Sequence, residues 1–417
     1  MFNIKKIINS KLAKNSLWLI LLQIFNTIIP LLSIPYITRV LGASEYGYFS
    51  LALNWILYFQ VIVEYGFGFL GAKKVAITEG NQLQKIFSGL LTARIILLLI
   101  SFLLMNIVFY FSGMGIKHYI CMMILFLMVI GVAFQLTWLF QGKQDMKFIT
   151  IVNCISRTVS VILIFIFINQ SEDVFLYCFL YSFTFILSAI IGFFLVRKKY
   201  GLKLKLCKFN YAVEMIIEGW ALFISQAMAK ILSGFGTTIL GFVSTTALVG
   251  VYSAIHKIPL SMALLFSPIS QALFPHISIE FSKSHEIGIS KVKKISLILV
   301  PMFTLIVLFI IVFRNEIVYI AFGEEYSCYS NIFIPLSLWF LFSIINNLLG
   351  VQTLIASGHQ KEYSRFFLIG GFLSVVLNII LGMNWNIYGV AWATFISEFI
   401  LTILLLLAIK KVLEGEG

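Results

Sequence analysis

A stripe of polar side chains on one long apolar segment is the part of the sequence best suited to chemistry. The stripe has helical spacings of four, three and four, and consists of Gln226, Lys230, Ser233 and Thr237. Counted from Gly219, Lys230 is about 11 residues inside the segment, which at ~1.5 Å per residue is roughly 16 Å and close to the middle of a bilayer. Because a lysine stem reaches only part of that distance, we expect this face to line a water-filled cavity rather than lipid.

A second lysine, Lys257, lies well inside the next apolar segment. Since the two segments are consecutive helices, Lys230 and Lys257 are expected to point into one lumen and to make it cationic. A cationic cavity inside a membrane suits an anionic group, and a diphosphate is the most obvious one. The alternative is that each lysine is one half of a buried ion pair that holds helices together.

Three further ionisable residues lie inside apolar segments: Glu64, Arg157 and Glu398. A charge that faces lipid costs on the order of 2.5–3.5 kcal/mol or more, so we expect each of them either to pair within the helix bundle or to take part in ion coupling. Of these three residues, Glu64 lies nearest to the cytoplasmic end of its own apolar segment. It could pair with Lys73 or Lys74, or it could carry a coupling proton, and both interpretations stay open.

The first apolar segment carries a similar polar stripe around Pro30, and we assign its Gln23 and Asn26 to the same cavity. Proline removes a helical hydrogen bond, so we expect a kink there, either a fixed bend or one that moves during function. Arg39 stands at the outer end of this segment. We interpret it either as a topological anchor or as a further cationic ligand of the diphosphate.

The elements that must position these residues are apolar helices. Of the 417 residues 60% are hydrophobic and only 11% are charged, and the mean hydropathy is +1.01, which indicates an all-α polytopic membrane protein. The apolar runs lack the two-residue alternation of a β-barrel. Twelve spans are predicted, near residues 15–38, 47–71, 88–112, 118–140, 148–169, 174–196, 219–243, 249–275, 292–313, 331–356, 364–384 and 388–409.

These spans divide into two six-helix lobes, residues 1–200 and 219–417, which we expect to surround a central cavity. The linker 201–218 is predicted to be cytoplasmic and to end in a short interfacial helix from Phe209 to Trp220. A faint parallel repeat supports the division, because Leu41-Gly42 and Gly47-Tyr48-Phe49-Ser50 recur as Leu240-Gly241 and Gly250-Val251-Tyr252-Ser253.

The distribution of charge predicts the orientation in the membrane. Of the 30 Lys and Arg residues, this set of spans places 24 on one side of the membrane, three on the other, and three (Arg157, Lys230 and Lys257) within it. The side with 24 basic residues, which includes both chain ends, is assigned to the cytoplasm. The net charge of +13 could suggest a nucleic-acid partner. However, the largest basic cluster lies in the linker between the lobes, where it suits anionic membrane lipid better.

Other classes of protein fit the sequence less well. The five cysteines and five histidines form no metal-binding spacing, so we expect free thiols, no metal and no cofactor. There is no phosphate-binding GxxxxGK[ST] loop and no evident cleavable signal peptide. A membrane polymerase or ligase of sugar chains would need a substantial outer loop, and the outer loops here are short. A carrier, not an enzyme, is therefore predicted.

Several stretches resemble the Wzx-type polysaccharide flippases of the multidrug/oligosaccharidyl-lipid/polysaccharide exporter superfamily. They are PYITRVLGASEYGYFS (35–50), EYGFGFLGAKKVA (64–76), WLFQGKQDMKFIT (138–150), VGVYSAIHKI (249–258) and YGVAWATFISE (388–398). The resemblance covers the whole chain in order. Among the diphosphate-binding arginines of related lipid flippases, only Arg39 matches, through its RVLG context, and Glu64 stands where Asp is common.

The resemblance implies a function and a location. A flippase of this type moves an undecaprenyl-diphosphate-linked oligosaccharide to the outer leaflet of the bacterial cytoplasmic membrane by alternating access, for synthesis of O-antigen, capsule or a related polysaccharide. It also allows the polysaccharide polymerase and the chain-length machinery as partners. The alternative is an ion-coupled drug or small-solute antiporter of the same superfamily. A major-facilitator transporter fits less well, because GAKKVAITEGNQ replaces its Gly-x-x-x-Asp-Arg signature.

Overall fold

The structure, a computed structural model, describes residues 11–415 and their side chains except those of residues 11–13, 16, 81 and 412–415. Within this range the chain forms helices and no β-strand, as predicted. Helices are the expected solution in lipid, because each helix satisfies its own backbone hydrogen bonds. The predicted cytoplasmic ends at residues 1–10 and 416–417 lie outside the described residues.

Fourteen α-helices follow one another in the described range. They are α1 (Lys11–Glu64), α2 (Phe67–Ala76), α3 (Asn81–Ser112), α4 (Ile116–Phe134), α5 (Thr137–Gly142), α6 (Met146–Phe167), α7 (Val174–Tyr200), α8 (Phe209–Val243), α9 (Thr246–Lys283), α10 (His285–Val312), α11 (Arg314–Phe322), α12 (Glu324–Ser327), α13 (Phe333–Asn346) and α14 (Gln360–Gly415). Short 3₁₀ turns at Ser171–Asp173 and Ser330–Ile332 and a π-helix at Asn347–Ile355 complete the order.

Ten stretches of the described residues are helical, long and apolar enough to cross a membrane. Two of them, Leu17–Ala76 and Gln360–Lys411, have 60 and 52 residues. Since ~20 residues are enough for one crossing, each of these is long enough for two. Each also contains a residue with non-helical backbone, Gly42 and Asn386 respectively. The count of twelve spans stays a prediction that these two breaks support.

The helix boundaries differ from the predicted ones in two places. Phe209–Trp220 is not a separate interfacial helix, because α8 continues without a break from Phe209 to Val243. The predicted span 47–71 ends at Glu64, where Tyr65 and Gly66 adopt left-handed backbone with φ of 48° and 74°. A helix cannot continue through two such residues, and the chain starts a new helix at Phe67.

By their internal contacts the residues form two compact units. The first contains the chain up to Ile29 together with Tyr48–Gly234, and the second contains Pro30–Gly47 and the chain from Phe235. The predicted lobes 1–200 and 219–417 stay a prediction about how the spans are organised. In the first unit the core includes the fully buried Trp138 of the WLFQGKQDM motif.

The WLFQGKQDM motif forms a junction in the first unit. A Cβ on Gly71 of α2 would come within 2.9 Å of the Trp138 ring, so this glycine allows α2 to pack tightly on α5. Just beyond α5, Asp145 binds Lys199 at 2.7 Å and also accepts a hydrogen bond from the hydroxyl of Tyr200. The motif therefore joins α2, α5 and the end of α7, which explains its residues by packing rather than by substrate chemistry.

In the second unit the two copies of the internal repeat contact each other. A Cβ on Gly47 would lie 1.8 Å from the carbonyl oxygen of Thr246, and a Cβ on Gly250 would lie 2.0 Å from that of Ala43. Each copy thus has two small residues four positions apart, Ala43 and Gly47 in the first copy and Thr246 and Gly250 in the second. The glycine of each copy faces the carbonyl of the other copy's first small residue. Such spacing lets helix backbones approach closely in a membrane.

Candidate functional site

The polar stripe predicted on α8 is present on one face of that helix. Gln226, Lys230 and Thr237 are half-buried and Ser233 is exposed, so none of the four is part of a closed core. The Ser233 hydroxyl donates to the carbonyl oxygen of Lys230 at 2.9 Å. The charged side chain that acts electrostatically on Lys230 is Glu64.

The second half of α1 runs alongside α8 within the first unit. Gly234 faces Asn54, whose Oδ1 would be 2.5 Å from a Cβ at that glycine. Towards the other end, a Cβ on Gly66 would be 2.4 Å from the Cβ of Leu222. Residue numbers rise along one helix as they fall along the other, so the two helices are antiparallel and close at both ends.

The second half of α1 carries several polar residues near this contact or beyond it towards its end. Gln60 donates from Nε2 to Glu64 Oε1 at 2.9 Å, and Asn54 lies within 3.4 Å of the Tyr58 hydroxyl. Glu64 is the last residue of α1. A carboxylate at a helix C-terminus faces the negative end of the helix dipole, so it needs a positive group nearby.

Two cations on different helices lie within electrostatic reach of this carboxylate. Arg94 of α3 and Lys230 of α8 both interact electrostatically with Glu64. We call Gln60, Glu64, Arg94 and Lys230 the Glu64 cluster. Its net charge is positive when all three ionisable groups are charged. The expectation that Glu64 pairs with Lys73 or Lys74 has no support in the described contacts of Lys74, which binds Glu218 at 2.7 Å.

Arg94 is the member of the cluster that the sequence analysis missed. Its Nη1 donates to the carbonyl oxygens of Val132, Ala133 and Gln135, at 3.3, 3.4 and 2.8 Å. These carbonyls lie where α4 ends, before α5 begins. Arg94 is only 4% exposed. Arg94 could have been recognised from its position inside the apolar run LLTARIILLL. However, the count of basic residues on the two sides of the membrane placed it in the cytoplasmic flank of its span.

Arg157 has a structural partner in the first unit. Its Nη1 donates to the carbonyl oxygen of Asn26 at 2.9 Å. In an unbroken helix that carbonyl would accept from the N–H of residue 30, but Pro30 has no N–H. Arg157 therefore supplies the hydrogen bond that Pro30 cannot make. Gln23 and Asn26, which were assigned to the cavity, are half-buried.

Arg39 contacts the C-terminal end of α11 in the second unit. Its Nη2 donates to the carbonyl oxygens of Tyr319 and Ile320. Nearby, the Glu325 carboxylate accepts a hydrogen bond of 3.0 Å from the N–H of Ala43, directly after the break at Gly42. Burial, together with Tyr46 and Glu325, raises the pKa of the Tyr326 phenol well above its usual range. A role for Arg39 in diphosphate binding stays a prediction.

The two remaining predicted residues also lie in the second unit. Lys257 is half-buried on α9, next to His256, whose ring lies 5.3 Å from that of Trp339. Glu398 accepts a hydrogen bond of 2.9 Å from the side-chain amide of Asn346, so its described partner is neutral. Since Lys230 belongs to the first unit, its convergence with Lys257 on one lumen stays a prediction.

No group of three or more metal-ligating side chains that could hold an ion occurs between residues 11 and 415. The charged groups near Glu64 offer binding by charge and hydrogen bonds. A half-buried lysine such as Lys230 can hold an anion.

Comparison with known proteins decides the family. Residues 12–281 match the family described as "Polysaccharide biosynthesis protein". The chain belongs to this family. Among its relatives is the "Putative O-antigen transporter" of Escherichia coli (strain K12), which is 26% identical over 403 residues that span 96% of this chain and 97% of the relative. The "Probable low-salt glycan biosynthesis flippase Agl15" of Haloferax volcanii is 26% identical over 94% of this chain and 82% of its own length.

Solved structures confirm the fold of this family member. The lipid II flippase MurJ in an inward closed conformation matches with a TM-score of 0.73 at 16% identity, over 93% of this chain and 86% of MurJ. An inward-facing multidrug resistance MATE transporter matches with a TM-score of 0.67 at 14% identity, over 93% and 98% of the two chains. At such identity the likeness establishes the fold alone, which is the all-helical fold that these two proteins share.

Proposed function

We propose that this protein moves undecaprenyl-diphosphate-linked oligosaccharide repeat units across the bacterial cytoplasmic membrane for surface polysaccharide synthesis. The observation that carries the proposal is the alignment of 96% of the chain with a protein named as an O-antigen transporter. The fold, which it shares with a lipid II flippase, supports the same function. No covalent chemistry is required of the protein, because the substrate is only moved.

The Glu64 cluster offers a place for the charged part of that substrate. A diphosphate that reaches Lys230 exchanges water for charge-assisted hydrogen bonds, each worth roughly 1.5–3 kcal/mol. The sugar and the diphosphate need a polar environment, whereas the polyprenyl tail can stay in lipid. The half-buried stripe on α8 provides such a polar surface along the span. Alternating access then transfers the headgroup between leaflets.

The orientation proposed is that both chain ends and the segment around Lys203 face the cytoplasm. It rests on the asymmetry of the 30 basic residues. A cysteine placed next to Lys203 should resist a membrane-impermeant thiol reagent in intact cells, and one placed next to Lys117 should react. The opposite pattern would overturn this orientation.

The direct test of function is a deletion strain. Loss of the gene should cause the lipid-linked repeat unit to accumulate, as identified by mass spectrometry of the extracted lipid, and surface polysaccharide should disappear. The wild-type gene should restore both. A deletion strain that shows normal polysaccharide and no accumulated lipid-linked sugar, in cells without a second such transporter, would contradict the proposal.

A second candidate is an ion-coupled drug antiporter, favoured by the likeness of the fold to a MATE transporter. The two functions differ in their substrates. An antiporter of organic cations should lower the accumulation of a cationic dye in cells that overproduce it, whereas the proposed flippase should not. Cooperation with the polysaccharide polymerase and chain-length machinery is part of the proposal and would be seen as co-purification from the native membrane.

A further inference from the structure

The segment between α7 and α8, residues 201–208, forms neither a helix nor a strand, but it is held against α3 at two points. Gln84 binds the backbone of Lys203 with both ends of its amide, donating to the carbonyl oxygen at 2.8 Å and accepting from the N–H at 2.9 Å. Thr92 Oγ1 accepts from the N–H of Cys207 at 3.1 Å. We call residues 201–208 the linker strip.

The spacing of these two contacts indicates that the linker strip is extended. The two contact positions on α3 are eight residues apart, which is ~12 Å along a helix. The two positions in the strip are four residues apart, and an extended chain covers ~13 Å over that number. Side chains alternate along an extended chain. Leu204 and Leu206 therefore lie on one side of the strip. Lys203 and Lys205 lie on the other.

The environment of the strip fits the surface layer of a bilayer. Leu204 is 64% exposed and Leu206 is 75% exposed, so both leucines would gain from contact with acyl chains. Among the described residues, none makes a hydrogen bond to the backbone N–H and C=O groups of Leu204, Lys205 and Leu206. Because such groups are costly in hydrocarbon, the strip suits the headgroup layer, where water is available and acyl chains are within reach.

The charge of this region favours one kind of lipid. Residues 197–213 contain six basic residues and no acidic one. One of the six, Lys199, is bound by Asp145 at 2.7 Å. Lys203 and Lys205 are exposed, and neither binds an acidic side chain within the described part of the chain. Lysines at a bilayer surface favour anionic over neutral lipid.

We propose that the linker strip is a binding surface for anionic phospholipid, with Leu204 and Leu206 among the acyl chains and Lys203 and Lys205 at the headgroups. The strip lies at the cytoplasmic surface in the orientation proposed above. An extended segment held by α3 thus contacts the bilayer surface, where the sequence predicted a separate helix. Gln84 is a positioning residue, since it fixes the backbone and with it the side that each side chain takes. The inference does not depend on which substrate the protein moves.

The test compares the two sides of the strip by photo-crosslinking. The full-length protein is placed in nanodiscs with equal amounts of phosphatidylglycerol and phosphatidylcholine, and adducts are identified by mass spectrometry of the intact protein. Leu204→p-benzoylphenylalanine and Leu206→p-benzoylphenylalanine should give several times more lipid adduct than the same change at Lys203 or Lys205. Ile298, which is 70% exposed within a predicted span, is the positive control. Equal yields on both sides, or more adduct at the lysines, would overturn the inference.

The choice of headgroup is tested in the protein that carries the photoreactive group at Leu206. Phosphatidylglycerol adducts should exceed phosphatidylcholine adducts. Lys203→Gln combined with Lys205→Gln should lower this ratio about fivefold or more, because both charges that attract the anionic headgroup are lost. Lys291→Gln combined with Lys294→Gln removes two exposed lysines of α10 and should leave the ratio unchanged. Equal adducts of the two lipids before any lysine is changed would show that the strip does not select anionic lipid.

The role of Gln84 is tested with the same adducts. Gln84→Ala should remove the difference between the two sides of the strip, whereas Gln82→Ala, at an exposed neighbour, should preserve it. Thermal unfolding shows whether each variant is folded, and Thr92→Val, which removes the other contact, replaces Gln84→Ala if that protein is unfolded. A preserved difference in a folded Gln84→Ala protein would refute the positioning role.

Illumination of intact cells tests whether a protein occupies the strip instead. The photoreactive group at Leu204 or Leu206 should again form lipid adducts, which change the mass of the protein only slightly. Adducts with the mass of a second protein in place of lipid would overturn the proposal and show that the linker strip is a docking site for a protein partner.

Discussion

Tyr65 stacks on Phe223, with ring centroids 4.6 Å apart and ring planes inclined by only 7°. Tyr65 is the residue after Glu64, and its φ of 48° begins the break between α1 and α2. Phe223 belongs to α8, the helix that carries Lys230. The stacked rings therefore hold the end of α1, where Glu64 lies, against α8 through a contact that involves no charge.

Gly66 is the residue in this break that is least able to accept a side chain. Its φ of 74° is unfavourable for any residue with a Cβ, and a Cβ would lie 2.4 Å from that of Leu222. Gly66→Ala should lower the free energy of unfolding by about 1–3 kcal/mol. Gly68→Ala is the matched control, since a Cβ there meets nothing within 4 Å. The midpoints of thermal unfolding in detergent compare the two, and equal midpoints would contradict the prediction.

The contact between the repeat copies gives a second prediction. Gly47→Ala and Gly250→Ala should each reduce the amount of folded protein, because each added methyl would overlap a backbone carbonyl that no rotamer change can move. The expected loss of stability is ~1–3 kcal/mol or more. The helical Gly192, where a Cβ meets nothing within 4 Å, is the control. Yield and monodispersity after purification measure the effect, and wild-type values for both variants would show that the helices can separate there.

Arg157 and Pro30 should be coupled through the carbonyl of Asn26. Arg157→Ala leaves this carbonyl without the donor that binds it at 2.9 Å, and should cost ~1–3 kcal/mol. Pro30→Ala restores a backbone N–H at the position that an α-helix uses. Arg157→Ala should therefore be much less destabilising in the Pro30→Ala protein than in the wild type, as measured by a double-mutant cycle of thermal unfolding. Additive effects would mean that Arg157 acts elsewhere.

Lys230 should matter for transport more than for folding. Lys230→Ala is expected to weaken diphosphate binding about tenfold or more and to reduce surface polysaccharide, whereas Lys230→Arg retains more activity because charge is kept. Lys208→Ala, at an exposed lysine of the linker, is the control. Immunoblots of the membrane fraction show whether protein levels are unchanged. Normal polysaccharide in a strain with both Lys230→Ala and Lys257→Ala, at wild-type protein levels, would refute the cationic cavity.

Much of the fold follows from the sequence because the solvent is a bilayer. Apolar runs of the required length must form helices, so the spans were predicted without knowledge of their neighbours. The periodicity of 3.6 residues also placed Lys230 on one face with Gln226 and Thr237, where the structure has them. The break after Glu64 was missed because EYGFG lies within a continuous apolar run, and hydropathy does not report φ.

The partners of the charges were decided only by the tertiary structure. Periodicity tells which residues share a face of one helix, but it does not tell which helices meet. Thus Glu64 interacts electrostatically with Lys230 and Arg94, which are far from it in the sequence. Arg157 binds a backbone carbonyl, a group that every residue carries and that no sequence pattern marks. The sequence determined that these charges need partners inside the membrane, because an unpaired charge in lipid is costly. Helix packing, which depends on close approaches such as that of Gly66 to Leu222, selected the partners.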